Sequence, residues 1–441
     1  MNAIARLERL PIGSPHFRFL YLLGLGWALD AMDVGLISFT LPALAKEFHL
    51  TQAQAGLLGS AGLLGMLLGA AFGGRLADRF GRRGVVAVSL MIAGLGSLLT
   101  ALAPTPAWLF FFRFLTGVGL GAELPVAVSL MGELVPTPVR GRFVIWLEAF
   151  WAVGWTLAAL VGFLLVPALG WRWAFVVGGL PALYAAYLRQ SMVESPRWLV
   201  AQGRSGEAHV IVEQMEQVIL AEGKALPDPR QIPLPQPRPY RDLFQGQLGR
   251  RTFFIAMAWF TLNAGYYGIF IWLPSLLVAQ GFSLVRSLEF VLLMTLAQLP
   301  GYLAAAWLIE RWGRRAVLVG FLLASAASAL LYSRAASPVE LLFFGAALSF
   351  FNLGAWGAIY AYTPELFPTA LRTGGSGFTM AVGRVGGILA PYLTGVLLGS
   401  LGPAGVLGLH GALLGAAGLL AFLVGTETRG HPLDFGSGRE S

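Results

Sequence analysis

The chain has 441 residues, 56% of them hydrophobic and only 12% charged, and its mean hydropathy is +0.71. A water-soluble domain carries about 25% charged residues, so this composition leaves too little polar surface for a soluble enzyme, and the absence of cysteine excludes disulfides and thiol chemistry. The net charge of +8 fits either a nucleic-acid partner or a basic membrane face, and its distribution decides between them. In chain order, residues 1–16 are mixed polar, and the apolar run from Phe17 is too long for a cleavable signal, so it reads as the first spanning helix. Apolar runs long enough to cross about 30 Å of hydrocarbon fall at 18–43, 55–76, 84–103, 107–131, 143–166 and 172–190. Six more fall at 252–278, 288–309, 315–334, 340–362, 375–399 and 403–425.

Lipid leaves backbone groups no partner outside the segment, so twelve α-helices are expected, with short loops making antiparallel neighbours. Between the two sets of six lies 191–250, whose first part suggests short amphipathic helices and whose DPRQIPLPQPRPY stretch suggests an extended linker. The expected organisation is a bundle over 1–190, a linker over 191–250, a second bundle over 251–426 and a tail over 427–441. With both termini placed on the cytoplasmic side, 24 of the 30 Lys and Arg residues fall in inner loops. Lys46, Arg172, Arg286 and Arg334 fall outside, and Arg113 and Arg384 fall within spans. That asymmetry is the positive-inside pattern of an inner-membrane protein, and it disposes of nucleic acid as a partner.

The halves carry an internal echo. GGRLADRFGRR at 73–83 aligns with AAWLIERWGRR at 305–315, and ELVPTPVRGR at 133–142 with ELFPTALRTG at 365–374, both 232 positions apart. Two matches at one offset indicate a duplicated six-helix unit. Asp78, Arg79, Arg82 and Arg83 thus pair with Glu310, Arg311, Arg314 and Arg315, and Glu133 and Arg140 with Glu365 and Arg372. Their position in tight inner turns suits charge networks that latch a cytoplasmic gate, beyond the topological role of the arginines alone.

These motifs resemble those of the major facilitator superfamily over nearly the whole chain. VESPRWLVAQGR at 193–204 resembles a signature of sugar porters and organic-ion transporters. WALDAMDVGLISFTLPAL at 27–44 is most similar to bacterial niacin-type carriers and their relatives, the organic-ion transporters and the synaptic vesicle glycoproteins. The resemblance implies two pseudo-symmetric six-helix halves, alternating access and proton coupling.

Charges inside spans are costly and are functional by default. Asp30 and Asp33 share one helix face, and two buried carboxylates so close suit one of them to carry a proton. Proton-coupled sugar porters have an acid at the place of Asp33 paired with a span-four arginine, and the resemblance gives that partner as Arg113. Glu123 pairs with Arg113 or takes part in the proton path. Arg384, in GFTMAVGRVGGILAPYL, needs a substrate anion or a salt bridge to Glu123 or Glu148. Organic-anion carriers have a basic residue in a similar stretch, which implies an anionic substrate. Glu148 is a further candidate for substrate or proton. Asn263, Tyr266 and Tyr267 in FTLNAGYYGIF, with Trp356 and Tyr360, offer rings and polar tips for a flat aromatic acid. Asn352 and Gln298 are weaker candidates, and His410 reads as a packed side chain.

No metal-ligand cluster or phosphate loop is evident. GVGLGAE at 117–123 lies inside an apolar span, where its glycines are helix-packing contacts. No cofactor is expected. The reading is a monomeric, proton-coupled carrier of a nicotinate-like organic acid, with a sugar or organic-cation carrier as the rival and a transport-inactive sensor as the remote one.

Overall fold

Glycine and proline inside the apolar runs set where the helices break. The computed structural model describes residues 3–228, 239–368 and 371–429, and all regular structure in them is helical. The Pro-rich linker expected through 229–238, most of the expected tail and Thr369 of the second repeat motif lie outside the described residues.

A short helix α1 (Ala3–Glu8) precedes α2 (Ser14–Glu47), α3 (Gln52–Phe80), α4 (Arg82–Ala101), α5 (Pro106–Leu134) and α6 (Arg140–Leu169). The expected span at 172–190 is two helices, α7 (Trp171–Val177) and α8 (Leu180–Ser191). Gly178, Gly179 and Pro181 explain the break, since glycine weakens a helix and proline withholds a backbone donor. Two helices then form where amphipathic ones were expected, α9 (Pro196–Ala201) and α10 (Ser205–Ala221). The second set is α11 (Gly246–Phe270), α12 (Leu273–Ala279), α13 (Leu284–Leu296), α14 (Gln298–Trp312), α15 (Arg314–Tyr332), α16 (Pro338–Glu365) and α17 (Arg372–Val424). Residues 271–272 interrupt the seventh span and Ala297 the eighth. Gly402, at φ 65°, turns α17 between the last two spans. Among the described residues ten continuous stretches are long and apolar enough to cross a membrane. With the broken sixth span and the two crossings of α17, the described residues accommodate the twelve expected.

Spatially the chain forms two compact units. One holds the chain up to Val34, Leu64–Gly154 and the part from Phe175 to the linker. The other holds Gly35–Leu63, Trp155–Ala174 and the chain beyond the linker. In the first unit a seam of bare backbone joins α3 to α5. A Cβ at Gly65 would collide with the carbonyl oxygen of Phe114, one at Gly69 with that of Val118, and one at Gly73 with that of Ala122. From the other side, Gly121 lies on the backbone of Met66, and Gly119 on that of Ser89 and Ala93 in α4. The 117–123 glycines are therefore packing contacts. In the second unit Gly301 of α14 meets the backbone of Phe350 in α16 in the same way.

Candidate substrate and proton sites

Arg113 of α5 and Asp33 of α2 form a buried ion pair in the first unit, 2.8 Å from Nη2 to Oδ2, with side chains 2% and 1% exposed. The same Nη2 donates to the Asp33 carbonyl at 3.3 Å. The hydroxyl of Ser97 on α4 donates to Oδ1 at 2.5 Å, and the guanidinium lies over the ring of Phe175, 5.2 Å from its centroid. One charge thus satisfies the other, which is the condition for keeping either in an apolar interior.

Asp30, three residues earlier on α2, turns to Glu123 of α5 instead, so Glu123 does not pair with Arg113. Both carboxyls are fully buried, and each bears on the charge of the other. No N–H or O–H of the described protein donates to any of their four oxygens. Gly26 makes room for the approach, because a Cβ there would lie 3.4 Å from Glu123 Oε1. Glu148 is buried on α6 in the same unit.

In the second unit, α11, α16 and α17 bring together the residues expected around a substrate. Trp259 packs edge-on to Trp356 (5.5 Å between centroids) and to Tyr360 (4.8 Å). Tyr266 does so to Trp356 at 5.6 Å and to Trp155 at 5.3 Å. The backbone of α17 approaches this cluster where it lacks side chains: a Cβ at Gly383 would lie 3.0 Å from Trp259 Cβ, and one at Gly387 2.8 Å from the Tyr267 ring. Arg384 stands between these two glycines, half-buried, and has no ion-pair or hydrogen-bond partner among the described residues. Asn263 spends its amide on its own helix, donating to Trp259 O at 2.9 Å, while Asn352 and Gln298 are buried with both amide atoms unpartnered. His410 fills the space left by Gly268 and meets Thr394 Oγ1 at 2.8 Å, so it is a packed side chain.

The repeat motifs form equivalent clusters, one within each half. Arg82 reaches Asp78 at 2.8 Å, Glu133 at 3.2 Å and the Ala77 carbonyl at 2.9 Å. Arg314 reaches Glu310 and Glu365, each at 3.1 Å, and the Ile309 carbonyl at 3.2 Å. Asp78 and Glu310 are largely exposed, whereas Glu133 and Glu365 are mostly covered, so the latter two make the stronger ties. Arg83 donates to the Met192 carbonyl at 3.4 Å and Arg315 to that of Phe422. Arg372 donates to Pro364 O at 3.0 Å. Arg79 and Arg311 lie over the rings of Phe80 and Trp307 and take no acid. Arg140 reaches Thr137 Oγ1 at 3.2 Å and Glu8 at 3.7 Å.

Three acids escaped sequence reading. Glu194 accepts from the backbone N–H of Arg82 and Arg83, and Glu427 from that of Arg314. Each carboxylate closes the N-terminus of a helix that starts after a glycine at positive φ, Gly81 (94°) or Gly313 (91°). The signal was a weak echo, ES in VESPRW and ET in GTETRG, displaced by one from the 232 offset. Glu8 on α1 accepts from Thr137 N at 2.9 Å and from Arg197.

A helical membrane bundle built from a duplicated six-helix unit, with charges buried in its spans, has the make-up of a membrane transporter. The chain belongs to the sugar (and other) transporter family, whose model matches residues 21–435. It is 45% identical over 438 residues to the niacin transporter NiaP of Acinetobacter baylyi, covering 98% of this chain and 99% of that one. It is 43% identical over 380 residues to the putative niacin/nicotinamide transporter NiaP of Bacillus subtilis, covering 86% and 88%. Its fold matches the partially occluded, inward-open xylose transporter XylE of E. coli, with a TM-score of 0.75 at 20% identity over 95% of this chain and 100% of that one.

Proposed function

We propose that this chain carries a small aromatic carboxylate of the nicotinate class across the plasma membrane, coupled to protons. The observation that carries the reading is Arg384, a cation in a spanning helix with no ion-pair or hydrogen-bond partner among the described residues, on the helix whose Gly383 and Gly387 pack against Trp259 and Tyr267 of the aromatic cluster. An unpaired guanidinium in a span costs about 3 kcal/mol, and its two-pronged fork fits a substrate carboxylate. The rings suit the flat face of the acid, with Asn263 and Tyr267 as further substrate contacts. The niacin transporters among its relatives support the same substrate class.

Proton coupling rests on the buried charges Asp30, Asp33, Glu123 and Arg113, some as proton carriers and some as the ion pair that holds the helices around them. The clusters around Arg82 and Arg314, with Arg79, Arg83, Arg140, Arg311, Arg315 and Arg372, steady the cytoplasmic ends of the spans as the halves alternate. Both termini lie on the cytoplasmic side, in keeping with the basic inner loops, and the carrier works as a monomer. The test is uptake of labelled nicotinate into proteoliposomes under an imposed inward proton gradient. Accumulation that collapses when the gradient is dissipated is the expected outcome; entry of a sugar or an organic cation without any nicotinate entry would overturn the reading.

A further inference from the structure

The buried acids divide into two groups with different chemistry. Asp33 is fully engaged: Arg113 Nη2 at 2.8 Å, Ser97 Oγ at 2.5 Å, and a guanidinium that also grips its backbone carbonyl. A proton arriving there would have to displace a cation held in an apolar interior. Asp30 and Glu123 have no such donor. Their four oxygens are buried and accept nothing from the described protein, and Glu123 Oε1 comes up against α2 at Gly26, one turn before Asp30. Two carboxylates so placed cannot both stay ionised by themselves: both are acceptors, and they would repel in a low dielectric. A positive species must neutralise one of them. The smallest that serves two facing carboxyls is a proton.

Among the described residues the surroundings offer no rival cation. The charged or titratable groups that bear on the pair are Asp33 on α2, itself neutralised by Arg113, and Tyr184 on α8. The Tyr184 hydroxyl is spent on the Leu22 carbonyl at 2.7 Å. A Cβ at Gly26 would also lie 3.6 Å from the apolar Leu90 of α4. The indole N–H of Trp27, one turn before Asp30 on α2, is buried and unpartnered, a donor close by in sequence for whichever oxygen carries the negative charge.

From this the geometry points to the Asp30–Glu123 carboxyl pair as the site that binds the transported proton, shared between the two acids, with Asp33–Arg113 acting as a standing ion pair that braces α2 against α5. The inference deepens the coupling reading above and rests on it. Loading places one proton between Asp30 and Glu123 and leaves a single negative charge on the pair. Release leaves two carboxylates in contact, whose repulsion drives α2 and α5 apart at that level.

The test uses the full chain in lipid. Infrared difference spectra recorded across a pH jump should contain the carbonyl band of a buried, protonated carboxylic acid. That band should vanish in both Asp30→Asn and Glu123→Gln and persist in Asp33→Asn. In proteoliposomes, the first two variants should lose accumulation of labelled nicotinate above the equilibrium level while labelled substrate still exchanges across the bilayer. A band untouched by either substitution, or one removed by Asp33→Asn, would overturn the assignment. The infrared readout needs no substrate, so a carrier that does not take nicotinate, with the band still behaving as described, would count against the substrate reading and leave the proton site standing. Should Asp30→Asn fail to fold, Glu123→Gln tests the same shared proton from the opposite helix.

Discussion

Glu194 and Glu427 do the same work in the two halves of the chain: Glu194 Oε1 accepts the backbone N–H of Arg82 at 3.0 Å, and Glu427 Oε1 accepts that of Arg314 at 2.9 Å. Each carboxylate comes from the segment that follows the sixth helix of its own repeat. Each anchors that segment to the start of the third. The duplication therefore includes the connection after the bundle as well as the spans.

Removing either carboxylate leaves helix N–H groups without an acceptor. A side-chain cap contributes about 1 kcal/mol, and a negative charge at a helix N-terminus up to about 1 kcal/mol more. Glu194→Ala and Glu427→Ala should each lower the midpoint of thermal unfolding in detergent, by similar amounts, with the Gln variants intermediate. A loss confined to one of the two would contradict their equivalence.

Breaking the Asp33–Arg113 pair should be more damaging than erasing it. A buried charge left alone costs about 3–5 kcal/mol. Asp33→Asn and Arg113→Gln should each destabilise strongly, and the double variant should recover part of the loss. Thermal unfolding of the four proteins as a double-mutant cycle measures the coupling, and simple additivity would show that the two do not depend on each other.

Nicotinate binding should depend on Arg384. Truncating one partner of a covered charge pair costs about 2 kcal/mol or more, which is about a 30-fold rise in Kd. Arg384→Ala should show at least that rise by calorimetry. Arg384→Lys should fall between, because an ammonium lacks the planar fork. Unchanged affinity in the alanine variant would remove the guanidinium from the site.

The docking of α1 should be sensitive to acid. Burial works against the charge on Glu216, yet hydrogen bonds from Arg6 and then Arg9 outweigh it and hold the carboxyl below the usual glutamate range. A carboxylate whose value is lowered by folding stabilises the folded form above its unfolded value of about 4.3. That contribution fades as pH falls through the lower, folded value. Hydrogen exchange in residues 3–9 should therefore be slow at neutral pH and speed up below about pH 4. In Glu216→Gln it should be fast throughout. Exchange that ignores both pH and the substitution would mean that other contacts hold α1.

Most of the spans were legible because hydropathy integrates over about 20 residues, and the duplication because its motifs sit in short turns where spacing is kept. What hydropathy cannot see is a break inside an apolar run, hence the split of the sixth span at Gly178 and Gly179 and the interruption at Ala297. Helix α1 was hidden for a different reason: six residues do not make a stable helix alone, and Glu216, which holds it, lies 210 positions away. At the candidate sites, single charges in spans announced themselves by their cost, so Arg113, Arg384, Asp30, Asp33 and Glu123 were all found. The pairing of Asp33 with Arg113 came from the family resemblance, while the approach of Asp30 to Glu123 was not legible, since like charges give no reason in sequence to meet.

The glycine seam between α3 and α5 has a mechanical meaning. With Gly65, Gly69 and Gly73 lying directly on the peptide groups of Phe114, Val118 and Ala122, these two rods have no compliant layer of side chains between them, so neither slides nor rolls on the other without a steric clash. They travel as one spar, and shape changes in this part of the carrier must occur at other joints. A methyl group added at Gly65, on the carbonyl of the residue that follows Arg113, would act as a shim that shifts that arginine against its counter-ion.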